Sequence, residues 1–576
     1  MNRNCCSFVV AAALALGACG GTEKAKEKAP ERPVAADAAF LKPAHDAITA
    51  QSLLDRIKVL ASDEYEGRQP GSAGEDKTIK YLEEQAKAIG LEPGNPDGTY
   101  IQRVPLVGIT AQRPMTMKFT PRKGEALTAE FGPDFVAWTK RVVPSVSVNA
   151  DMVFVGYGVQ APEFKWDDFK GLDVKGKVIV VLVNDPPVET ENIFGGKAMT
   201  YYGRWSYKYE KAAELGAAGC IIIHDTVPAG YGWQVVQGRM NEQFDLDTPD
   251  KNMGRAPMEG WITGETADKL MKMAGQDLAA LKKAAVSRDF KPVPLDVRAS
   301  ITIRNKMRKV ASRNVLAKIT GSDPKLKDEF VIYSAHWDHF GIGAEVNGDK
   351  IYNGAEDNAS GSAQIMEIAR GFKQLHHMPK RSLLFLWVTA EEQGLLGSQY
   401  YAERPLYPLA DTLAVINLDA MNLAGRTRDI ISIGVGNSTL DEVLSRAAAE
   451  QGREVKPDAE PEKGFFYRSD HFNFAKQGVP ALNPDGGTDF LGKPAGYGKQ
   501  VRDEYTTKRY HQPSDEVRPE WDLSGLVEDS QLFLTVGYRV AEEPKLPEWK
   551  PGTEFKAKRE ASLQQKAQKA APAKKQ

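Results

Sequence analysis

Five short segments in the second half of the chain carry residue types that could hold metal ions and move a proton. They are Ser-Ala-His336-Trp-Asp338-His339, Gly354-Ala-Glu-Asp357-Asn-Ala-Ser-Gly, Glu391-Glu392, Asn417-Leu-Asp419 and Tyr510-His511-Gln-Pro-Ser-Asp515. A neutral imidazole suits a borderline metal, and a carboxylate on its other nitrogen fixes the tautomer. Alone, His336-x-Asp338 reads equally well as a buried histidine satisfied by an aspartate. Asp357 precedes a run of small residues that starts a helix, where an acid also serves as a cap. Adjacent carboxylates at Glu391-Glu392 are electrostatically awkward unless a metal takes one and leaves the other as a base. Asp419 alone would be a turn residue, and His511, trailed by Asp515 as an orienting partner, a surface histidine. Together, two histidines and three carboxylates, with Asp357 as a candidate bridge, form a nitrogen and oxygen donor set for Zn²⁺ or a similar ion. Two metals about 3.5–4 Å apart, bridged by a carboxylate and a hydroxide, are a known hydrolytic arrangement.

Three of the five segments sit at or just after apolar, strand-like runs, where an open α/β sheet places its site. Strands are expected at Phe330–Ala335, Leu383–Val388, Thr412–Leu418 and from Val479 to Leu482. Helices are expected at Ala359–Leu375 and Asp441–Gln451. Continuous apolar strands separated by amphipathic helices predict a mixed, largely parallel α/β sheet covered on both faces. Upstream, Thr49 to Leu91 reads as largely helical. The block at 144–300 holds its own buried-strand patterns, from Met152, Gly176 and Gly219, with a helix at Tyr209–Leu215.

The five motifs, in this order and spacing, resemble the M28 family of metallopeptidases. Glu66-Gly-Arg68-Gln-Pro-Gly71 resembles that family's N-terminal region, and residues 144–300 resemble an inserted protease-associated (PA) domain. The resemblance implies two Zn²⁺ per chain, one held by His336, Asp357 and Asp419, the other by Asp357, Glu392 and His511. It implies Glu391 as general base, a metal-bridging hydroxide as nucleophile, Asp338 orienting His336, and Tyr510 steadying the oxyanion. It implies a cis peptide at Asp357–Asn358. Glu356 departs from the Asp or Asn usual there. The loop Gly464-Phe-Phe-Tyr-Arg-Ser-Asp-His471 resembles the one lining the side-chain pocket. The activity implied is aminopeptidase action on peptides. A metallocarboxypeptidase, a glutaminyl cyclase on the same fold and a non-catalytic binding relative are the alternatives. Tyr201-Tyr-Gly-Arg-Trp205 of the inserted block is a candidate to reach the site.

At 576 residues the chain is too long for one ordinary domain, and its 42% hydrophobic and 26% charged residues are those of a globular protein. A net charge of −2 gives no reason to expect nucleic acid as partner. Arg3, the apolar run Phe8–Leu16 and Leu16-Gly-Ala-Cys19 resemble a bacterial lipoprotein signal, so residues 1–19 are expected to be a signal peptide, with export and an anchor at Cys19. Lipid at Cys19 is the membrane contact expected. Only Cys220 then remains in the mature domain, as a small buried hydrophobe. Residues 20–44 are expected to be a flexible tether, 45–143 with 301–545 the peptidase domain, 144–300 the insertion, and 546–576 a disordered basic tail.

Overall fold

The computed structural model describes residues 34–188, 193–194, 196–238 and 242–570. The signal, Cys19 and most of the tether lie outside them. The chain forms two compact units, residues 1–42 and 43–576. The described part of the first is the beginning of a helix, Val34–Ala47. The tether therefore ends sooner than expected, because its last residues are alanine-rich and free of glycine, a good helix-forming text.

In the second unit, the strand Phe330–His336 pairs in parallel with Ser382–Val388 on one side and Thr412–Asn417 on the other. Thr412–Asn417 in turn pairs in parallel with Ala481–Asp485. All three central strands are buried along their whole length, as parallel strands covered on both faces must be. On one face, Ser360–Phe372 packs with a second helix, Ser524–Glu542, and Tyr333 donates its hydroxyl to the carbonyl of Phe533 at 2.9 Å. On the other, Ile332, Leu384, Leu386 and Val415 pack with Tyr401 and Phe474. Beyond Ser382–Val388 the sheet turns antiparallel, through Val293–Ile319 and then Ile101–Ala111.

Val293–Ile319 is a 27-residue strand that joins two sheets. Its second half belongs to the sheet just described. Its first half pairs with Ser145–Phe154 and Thr116–Pro121. From Ser145–Phe154 a second sheet continues in parallel through Val178–Leu182, Gly219–Ile223 and Glu259–Ile262. Cys220 is fully buried in that sheet, and burial pushes its thiol well above the usual range. The second sheet thus draws strands from 116–138 as well as from the block at 144–300.

The expected disordered tail carries structure: Trp549 and Phe555 are buried, and a helix runs over Lys556–Ala570. Two sparse aromatic anchors suffice because they pack with Phe472 and Ala475, against which Tyr201, Phe466 and Tyr467 also lie. The Arg559 guanidinium adds two bonds, to the carbonyls of Leu409 and Thr412, each 2.9 Å. Phe555→Ala is expected to cost about 3–5 kcal/mol of stability. Urea unfolding checks this, and a loss below ~1 kcal/mol would mean the segment adds little.

Candidate active site

The ends of the parallel strands deliver the chemistry. His336 is the last residue of its strand, Glu391 and Glu392 follow Ser382–Val388, and Asp419 follows Thr412–Asn417. Asp357 precedes the helix Ser360–Phe372, across a cis peptide to Asn358. His511 comes from the loop after the helix Tyr497–Lys508.

These residues converge. His336 Nε2 lies 3.2 Å from Asp357 Oδ1 and 3.1 Å from Asp419 Oδ1. His511 Nε2 lies 3.4 Å from Asp357 Oδ2 and 3.2 Å from Glu392 Oε2. Asp357 therefore presents one oxygen to each histidine. Zinc bonds of about 2.0–2.1 Å in a tetrahedron set ligand atoms about 3.3 Å apart, so the spacing on both sides of Asp357 fits a divalent ion. Donor atoms of His336, Asp357 and Asp419 all lie within 4.8 Å of one another, as do those of His339, Asp357 and Glu392.

The supports differ from expectation at two points. His336 Nδ1 meets the Asp338 main-chain carbonyl at 3.1 Å, while the Asp338 carboxylate is 3.8 Å away. That carboxylate accepts the backbone N–H of Glu391 at 3.0 Å. Asp515 accepts the backbone N–H groups of Glu356 and Asp357, at 3.0 and 3.1 Å, so it holds the bridge residue. The small residues after Asp357 have a packing reason. A Cβ on Gly361 would lie 2.3 Å from the carbonyl of Leu418, so glycine lets this helix touch the Asp419 loop. Ala390, Ala420 and His511 all have positive φ, of 53°, 53° and 59°. Such backbone strain at non-glycine residues gathers at functional sites.

Three further residues support the group, of which His339 alone was expected from sequence to stand beside the ligands. His339 Nδ1 sits 2.6 Å from Glu392 Oε1. Ser469 donates to Asp419 Oδ2 at 2.5 Å and accepts from Asn417 at 2.7 Å. Arg68 is buried, with bonds from its guanidinium to the carbonyls of Trp337, Leu60, Asn353 and Gly354, at 2.6–2.8 Å. It thereby ties the His336–His339 loop to the segment before Asp357. The Glu66–Gly71 motif signalled Arg68, and nothing in the sequence gave its targets.

Electrostatics divide the acids. Burial alone would raise Glu392, but His511 and His339 beside it bring it down to about 2. Burial likewise works against Asp357, and its bonds to His336 and His511 hold it well below the usual range. Glu391 goes the other way: burial, with the charges of Asp419 and Glu392 nearby, pushes it well above. Asp338 is pushed up to about 8, chiefly by burial. His511 reaches about 9, because Glu392 and Asp357 outweigh the cost of burying its charge. Burial also holds the Tyr510 hydroxyl well above its ordinary value, so it is neutral at physiological pH.

Two clefts open onto this group. One, of about 450 Å³, is lined by Asp357, Glu391, Asp419 and His511, with Phe465 and Ser469 from the 464–471 loop and an apolar wall of Met421, Leu423, Phe490 and Val501. Glu356 also lines it. The other, of about 380 Å³, shares Tyr231, Glu391, Arg468, Tyr510 and His511 with the first and adds Glu392, Arg204 and Trp205. Arg204 and Trp205 thus reach the site region, as anticipated. Phe466 and Tyr467 pack against the C-terminal aromatic cluster.

Residues 314–534 match the profile of Peptidase family M28. The aminopeptidase from Aneurinibacillus sp. strain AM-1 has a similar structure. It superposes over 88% of this chain and 97% of its own with a TM-score of 0.52, at 21% identity. The fold is thus the mixed α/β fold of M28 peptidases. The probable leucine aminopeptidase 2 of Aspergillus oryzae is 25% identical over 332 residues, 58% of this chain and 50% of its own. The leupeptin-inactivating enzyme 1 of Streptomyces exfoliatus is 27% identical over 177 residues, 31% of this chain and 36% of its own. The chain spans half or less of the length of these two curated relatives.

Arg68→Met would strand four buried carbonyls and remove a cation from beside Asp338, Asp515, Asp357 and Glu392. The expected cost is about 3–5 kcal/mol in urea unfolding. An unchanged midpoint would show that the two loops hold without the guanidinium.

Proposed function

We propose that the protein is a dinuclear zinc exopeptidase that removes N-terminal residues from peptides. The observation that carries this reading is Asp357, whose two oxygens face two separate histidine and carboxylate groups. His336, Asp357 and Asp419 would hold one ion, and Asp357, Glu392 and His511 the other. When bound, such a pair lowers the pKa of a shared water and polarises the scissile carbonyl.

The chain's own residues account for the rest. Glu391 is half-buried at the point where the clefts meet. It is the carboxylate free to take a proton from the attacking water and return it to the leaving amine. Asp338 fixes its backbone. Tyr510, neutral and stacked on His511 with ring centres 3.7 Å apart, would donate to the developing oxyanion. The apolar wall of the larger cleft suits the side chain of the N-terminal residue. Similarity to aminopeptidases supports peptides as substrates, and the second sheet is read as a PA domain. From the Leu16–Cys19 motif we infer an exported protein anchored by lipid at Cys19.

A short peptide offered free, N-acetylated and C-amidated, each with and without chelator, tests the reading by mass spectrometry. Loss of N-terminal residues from the free and amidated forms only, abolished by chelation, is expected. Cleavage that requires a free C-terminus would make it a carboxypeptidase instead. Glu391→Gln is expected to lower kcat about 10²–10⁴-fold while zinc content by mass spectrometry stays at two. Near-wild-type turnover would remove Glu391 from the role of base.

A further inference from the structure

An exopeptidase with one reacting centre must accommodate two things, the terminal residue and the chain that leaves. Two clefts meet at Glu391, Tyr510 and His511. The larger one includes Asp419, Ser469 and the apolar wall. The smaller one runs past Glu392 to a wall the central sheet does not supply. Arg204 and Trp205 stand there, at the start of the helix Trp205–Glu214, with Gln234 from the helix Trp233–Gly238. Phe340 and Tyr352 face them from the catalytic side.

The lining chemistry is distinctive. Six glutamines border this cleft, Gln69, Gln234, Gln237, Gln243, Gln393 and Gln512, beside the charged Arg204, Arg468 and Glu242, the last paired with Arg308. Gln237 and Gln393 are tied to backbone groups of Gly132 and Phe244. A primary amide both donates and accepts, so it can pair with either group of a peptide main chain, and it carries no charge. Aromatic rings between such amides provide flat apolar surface without demanding one side chain.

We propose that this second cleft binds the peptide backbone beyond the scissile bond, making oligopeptides of three or more residues the preferred substrates. The proposal rests on the aminopeptidase reading above. Recognition through neutral amides makes rate depend on peptide length and little on the sequence after the first residue. It also places the inserted sheet in substrate binding.

The test compares kcat/KM for leucine p-nitroanilide, Leu-Gly, Leu-Gly-Gly and Leu-Gly-Gly-Gly. In the wild type the value rises with length. Gln234 is exposed, so Gln234→Trp can fill the cleft without disturbing the core. It is expected to lower the ratio of tetrapeptide to p-nitroanilide kcat/KM about tenfold, the scale of one or two lost hydrogen bonds. Trp205→Ala is expected to lower the same ratio, with Trp205→Phe restoring part of it. The proposal is overturned if wild-type rates are flat with length. It is equally overturned if the variants scale all substrates alike, or if they shift the preferred first residue. If no substrate loses its N-terminal residue, the aminopeptidase reading itself fails, which is a separate result.

Discussion

Buried negative charge is the constraint on which the rest of this structure depends. Asp338, Asp357, Glu392, Asp470 and Asp515 are all buried within one neighbourhood. An isolated carboxylate in such surroundings costs several kcal/mol and would otherwise take up a proton. Asp357 and Glu392 are held ionised by the histidines beside them, whereas Asp338, pushed up to about 8 by burial, is largely protonated at neutral pH. Asp338 and Asp515 accept backbone N–H groups, Asp357 and Glu392 lie against histidines, and the Arg68 guanidinium sits close to all four. Divalent ions would complete the balance with far more charge per site than the imidazoles can provide.

That balance explains the division of labour between adjacent glutamates. Glu392 is buried against two histidines and stays ionised, as its proposed role as ligand requires. Glu391, one residue earlier, lies at the junction of the clefts, where burial and the charges of Asp419 and Glu392 push its pKa up. The positive charge of bound ions would lower that affinity for a proton and leave Glu391 ionised, as its proposed role as base requires. The positive φ at Ala390 turns the chain between the strand end and this pair, so backbone strain and electrostatics serve the same placement.

How much of this was legible in the sequence follows from how local each signal is. The central strands were readable because full burial leaves unbroken apolar runs. The acid and histidine segments that converge were readable because most of them stand at or just after the ends of apolar strands. Ser524–Glu542 escaped because its apolar pattern is broken by Glu528, Asp529 and Ser530. Asp529 is admitted to the core only by Arg453, 2.7 Å away and some 76 residues earlier. The backbone partners of Asp338 and Asp515 were not legible, because proximity to a histidine in sequence says nothing about N–H groups brought there by other segments. The C-terminal anchor was hidden for a similar reason: Trp549 and Phe555 gain meaning only from Phe466 and Phe472.

The second sheet and the candidate metal site are also linked through the loop from Pro461 to His471. Met199 N bonds the carbonyl of Pro461, Asn184 that of Glu462, and Arg468 that of Ala229. The Arg468 guanidinium also lies over the rings of Tyr231 and Phe465, at 5.5 and 5.2 Å. The next residue, Ser469, holds Asp419. A displacement of the inserted sheet would therefore pull on the loop that fixes Asp419, with Phe466 held at its middle by Phe555 from the C-terminal segment. Substrate that engages the inserted sheet thus acts on the same backbone that sets the geometry of one half of the site. The loop from Pro461 to His471 acts beside the Phe244–Gln393 bond and the shared strand Val293–Ile319 as a link between the block at 144–300 and the site.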